Sequence, residues 1–173
     1  MQNDALREEW EEYLEQTRGH ERILRETCAA MGIDPEAETA GREVVRHTGK
    51  ALVQAMELAL ANGEPDAAQL VACECVVLAE TKDHADWQLL SRCAERLEGA
   101  AGDAMMDAVA QVEDQEDEHL YHTKGWSREL WIQSLGLPAV LPPPEQQRHV
   151  TTAIGAARAE AAAELSRLEA PEV

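Results

Sequence analysis

The chain has 173 residues, enough for one domain with a real core, and a formal charge of −19 at neutral pH. That charge argues against a phosphate-binding surface, so no nucleic acid is expected, and it disfavours docking on anionic membranes. No apolar stretch is long enough to span a bilayer, and the N-terminus, MQNDALREEWEEY, does not read as a signal peptide; a cytoplasmic protein is expected.

Ala, Glu and Leu are abundant and Phe is absent, a balance that favours helix over sheet. Helix 1 follows the cap candidate Asp4 and runs to about Met31, with Leu6, Trp10, Tyr13, Leu24 and Cys28 at helical spacing. GIDPE ends it, with Gly32 suited to the C′ position, and starts helix 2 on Asp34 and Pro35. Helix 2 reaches about Ala61, where NGEPD breaks it. Helix 3 spans about Pro65 to Leu97. Helix 4 starts near Asp103, after Gly99 and Gly102, and reaches about Ser134. These helices form the expected bundle domain, 1–135. GLPAVLPPPE reads as an extended linker, 136–144, before an Ala/Glu-rich C-terminal helix within 145–173. Four long helices on short connections predict an all-α bundle. Cys28, Cys73, Cys75 and Cys93 have no disulfide or zinc-knuckle spacing and read as small core residues.

Polar residues that share an apolar helix face carry more information than surface charges. On helix 4 the face drawn by Met105, Val109, Val112, Trp126 and Leu130 also carries Glu116, His119 and Thr123. Glu116 and His119 form Glu-x-x-His, the i, i+3 pair that sets a carboxylate and an imidazole over one ion in di-metal bundles. On helix 3 the face is drawn by Val71, Leu78, Ala85 and Leu89, which places Glu74 inside and Glu80 and Asp83 outside. On helix 2 His47 points inward. On helix 1 His20 and Glu21 share the apolar face or its edge. The metal-ligand set read from the wheel is therefore Glu74, Glu116, His119, His47, His20 and Glu21. Carboxylates and imidazoles on facing helices suit two divalent ions, iron or manganese ahead of zinc. In an up-down-up-down bundle His119 comes level with Asp83 and His84, while Glu74 falls ~10–15 Å away along the axis at 1.5 Å per residue.

The stretches YLEQTRGHERI, MGIDPE and AETKDHADWQLLSRCAERLEG resemble the YciE/YciF-type ferritin-like proteins over roughly residues 5–135. The resemblance implies a ferritin-like four-helix bundle with a fifth helix and a di-iron or di-manganese centre. The family's helix 1 motif falls here on Tyr13, Gln16, Thr17 and His20, so Gln16 replaces a ligand carboxylate. Its helix 3 carboxylates fall on Glu80 and Asp83, and its helix 4 ones near Glu113 and Asp117. Such a centre could activate dioxygen or peroxide, or oxidise ferrous iron, with Tyr13 or Tyr121 beside it. A non-enzymatic acidic scaffold is the alternative, its inward His and Glu residues paired with each other or with Arg42, Arg46 or Arg92. A DinB- or hemerythrin-like bundle using His20, His47, His119 and His122 is a further one. A homo-oligomer assembled through the C-terminal helix is expected.

Overall fold

The computed structural model describes residues 2–148. Its elements are α1 (Asp4–Ala30), α2 (Ala40–Asn62), α3 (Pro65–Ala94), α4 (Ala100–Ser134) and the single turn α5 (Pro144–Gln147). The described residues contain no strand and no helix long and apolar enough to cross a membrane. Of the C-terminal helix expected from about 145 to 168, only the start is described, as the turn α5; the rest, and any assembly through it, lie outside the described residues.

Asn3, one residue before the expected cap, starts α1: its side chain accepts from Leu6 N–H at 3.0 Å. α1 ends in a Schellman pattern. Gly32 takes φ 68°, its N–H donates to Ala29 O (3.1 Å), and Ile33 N–H donates to Cys28 O (2.8 Å). Helix 2 does not start at Asp34. Asp34 instead folds a local turn by accepting from Glu36 N–H at 2.9 Å, and Thr39 caps α2 through Arg42 N–H. α2 and α3 are separated only by Gly63 and Glu64, which leaves no room for a crossover.

α4 is the central helix. α1 and α3 pack on it, and α2 packs on α3. One apolar cluster joins Leu6, Leu70, Cys73, Trp126 and Leu130. A second joins Trp87, Ala108, Val109 and Val112, with Ile23, Leu24 and Leu90 against it. These clusters lie toward opposite ends of α4, and the polar residues between them occupy the middle of the bundle. Cys73 and Cys75 are buried as expected, Cys28 is half-buried, and Cys93 is exposed.

The proline segment is not a free spacer. Val140 N–H donates to Glu129 Oε2 (2.8 Å), and Arg128 holds Glu145 through two bonds of 2.7 and 3.1 Å. Glu129 and Glu145 are both buried, and this return of the chain gives them their partners. Gly125 makes room for it: a Cβ there would lie 2.8 Å from the Glu145 carboxylate.

Candidate metal centre

The middle layer of the bundle begins with a carboxylate that is fully satisfied. Glu9 accepts from Tyr13 O–H (2.5 Å), His122 Nδ1–H (2.8 Å) and Trp126 Nε1–H (2.7 Å). Burial, with Glu9 beside it, pushes the Tyr13 phenol pKa up, so the hydroxyl keeps its proton. The Tyr13 ring lies 4.3 Å from the ring of His119.

One turn further on, the satisfaction stops. His20 from α1 and Glu116 and His119 from α4 are buried, and their ligand atoms lie within 4.8 Å of one another. Glu116 also belongs to a second group with Glu80 and Asp83 of α3, within the same limit. Two triads therefore share one carboxylate. Metal bonds of about 2.0–2.3 Å place donors up to ~4.6 Å apart across an ion, so both groups have nearly the required span.

The imidazoles are aimed by glutamines. His20 Nε2–H donates to Gln115 Oε1 (2.7 Å), and His119 Nε2–H donates to Gln16 Oε1 (2.6 Å). In the neutral ring each bond puts the proton on Nε2 and leaves the Nδ1 lone pair facing the cluster, the arrangement that orients histidines at metal sites. His20 Nδ1 sits 2.6 Å from Glu116 Oε1 without the geometry of a hydrogen bond, and His119 Nδ1 sits 3.7 Å from Glu80 Oε2. Six buried side-chain atoms lack a hydrogen-bond partner among the described residues. Four of them are His20 Nδ1, His119 Nδ1 and both Glu116 oxygens. Such groups cost about 1–3 kcal/mol each, so their convergence needs an explanation.

No lysine or arginine supplies one. Among the described residues, none forms an ion pair with Glu80, Asp83 or Glu116; Arg42, Arg46 and Arg92 hold Glu36, Glu38 and Glu95 instead. The uncompensated charge shifts the acidity of the cluster. Burial, then Glu116 and Glu80, push Asp83 up to about 7. Burial lowers the His20 pKa, but the Glu116 carboxylate and Gln115 amide outweigh it and leave the net shift upward. Both groups thus favour a proton where a cation would satisfy the same carboxylates.

Of the six ligands read from the helical wheels, His20, Glu116 and His119 come together. Glu74 does not: it is exposed, on the side of α3 opposite the core. His47 is exposed because the first half of α2 packs against little. Glu21 is exposed and pairs with Arg25 at 2.9 Å. α3 turns a different face to the core from the one its Leu78 and Leu89 predict. Leu78 and Leu89 are 60% and 61% exposed, whereas Cys73, Glu80, Asp83 and Trp87 point toward α4. The expected pairing of His119 with the Asp83–His84 turn is met to within about one turn: His119 lies against Glu80, and His84 against Asp117. The four histidines of the hemerythrin-like alternative do not gather, since His47 is outside and His122 is turned to Glu9 and Tyr13.

Set against protein-family models, curated proteins and solved structures, the chain matches none of them. What this centre can hold is therefore argued from its donors alone. Two imidazoles and three carboxylates suit a borderline divalent ion, and the absence of thiolate disfavours a purely structural zinc site.

Proposed function

We propose that the protein binds divalent transition-metal ions, iron or manganese, at the His20–Glu116–His119 and Glu80–Asp83–Glu116 groups, with Glu116 shared between two ions. The observation that carries this is the pair of histidine Nδ1 atoms, held toward Glu116 by Gln16 and Gln115, that have no hydrogen-bond partner. A redox-active ion there would bring dioxygen or peroxide chemistry within reach, and Tyr13 stands against the His119 ring. A ferritin-like oxidase or metal-handling role follows from the same reading.

Elemental analysis of protein purified without chelator, and titration of the stripped protein with Fe(II), Mn(II) and Zn(II), provide the test. The expected result is up to two ions per chain, falling to none in Glu116→Ala and to one or fewer in Asp83→Ala. Protein that stays metal-free with all three metals would end this proposal.

A second reading, an acidic scaffold that associates with copies of itself, is favoured by α2. That helix has no fully buried side chain and leaves Val44, Leu58 and Leu60 more than 60% exposed.

A further inference from the structure

A buried centre needs a way in. Two acidic depressions flank it. One, of about 280 Å³, is lined by Glu8, Glu9, Glu12, Glu118 and His122. It stops at Tyr13, whose hydroxyl is tied to Glu9 and whose ring covers His119; none of its lining residues belongs to either triad. The other, of about 670 Å³, runs between α3 and α4 and has Glu116 itself in its wall. Glu116 is 1% exposed and both its oxygens lack hydrogen-bond partners.

The outer part of this cleft is built for a cation. Glu113 and Asp117 lie one turn apart on α4, and Glu116 follows between them toward the floor. His84 of α3 faces them, its Nδ1 3.4 Å from Asp117 Oδ1. The one arginine in the wall, Arg92, is held by Glu95 at 2.9 Å. Trp87 and Val109 form apolar wall beside the acidic residues, and low-dielectric walls focus the field of the charges they flank.

We propose that the α3–α4 cleft is the path by which a divalent cation reaches the centre, with Glu113, Asp117 and His84 capturing it and passing it to Glu116. This rests on the metal-binding reading above. Ligand exchange along the path involves no redox change: each carboxylate or imidazole replaces a water on the ion and is replaced in turn by the next.

Stopped-flow mixing of the stripped full-length protein with Co(II), followed by its visible absorption, tests the path. In Glu113→Gln/Asp117→Asn the loading rate should drop about tenfold at low salt, with the final absorbance unchanged. Glu8→Gln/Glu118→Gln, in the opposite depression, should load within about twofold of the unaltered protein, given that charge steering acts on the route used. His84→Gln should slow loading as well, and added salt should narrow every difference. Equal rates in all variants, or slowing confined to the Glu8/Glu118 pair, would overturn the path while leaving the centre standing. If the unaltered protein takes up no Co(II), Fe(II), Mn(II) or Zn(II), the centre fails and the path with it.

Discussion

Asp83 gives the centre a pH signature whenever no cation is bound to it. Its carboxyl titrates near 3.8 in an unfolded chain and at about 7 in the fold, because burial, Glu116 and Glu80 all oppose its charge. Between those values the folded chain keeps a proton that the unfolded chain has released, so stability falls as pH rises from about 4 to 7 and the full penalty stands above. His20 acts in the same direction. Its folded pKa lies above the unfolded value of 6.5, so its contribution is present below that value and is lost as pH rises through the folded one. Chelator-treated protein should therefore melt at a lower temperature near pH 8 than near pH 5. Asp83→Asn should flatten that fall and melt higher than the unaltered protein near pH 8. A lower melting temperature for Asp83→Asn near pH 8 would show that the carboxylate is compensated after all. A bound cation reverses the trend, since it competes with the same protons, and its stabilisation should grow with pH.

At the level of elements, α4 and α3 show why some of the centre was legible in the sequence and some was not. α4 has one apolar face, and every residue read onto that face, from Met105 through Glu116, His119 and Thr123 to Leu130, is buried. α3 is apolar on two sides. Its outer side keeps Leu78 and Leu89, while its inner side gives up apolar positions to Glu80 and Asp83. A hydrophobic count then points outward and hides the inner carboxylates. Gln16 falls on a motif position without its role being readable, and Gln115 is not readable at all, because a glutamine that orients an imidazole across helices has no local spacing to betray it. The return of residues 139–145 onto α4 was likewise hidden, because Arg128, Glu129 and Glu145 look like surface charges until their partners are known. That return should be costly to break. Arg128→Ala leaves Glu145 and Glu129 buried without their guanidinium, and a loss of about 3 kcal/mol is expected in urea unfolding. A loss under about 0.5 kcal/mol would mean that water reaches both carboxylates, the usual outcome for a surface pair.

For the whole molecule, two opposing features meet on its surface. Copies repel through a charge of −19, while Val44, Leu58, Leu60, Leu78 and Leu89 offer apolar contact. Salt screens the first and spares the second. If the chain self-associates, its mass in sedimentation should rise between about 20 and 300 mM salt, and Leu58→Lys/Leu60→Lys should abolish the rise with unfolding free energy changed by about 0.5 kcal/mol or less. A single mass at every salt concentration would remove the scaffold reading. The up-down-up-down register set by short connections also matters at this scale, because it brings positions 20, 80, 83, 116 and 119 to one level from three helices. An ion seated there is a cross-link among segments far apart along the chain, closing long loops much as a disulfide does. None of those helices could then peel away alone without surrendering a ligand. Global unfolding would then require release of the ion, so the loaded chain should resist protease more than the folded, metal-stripped chain.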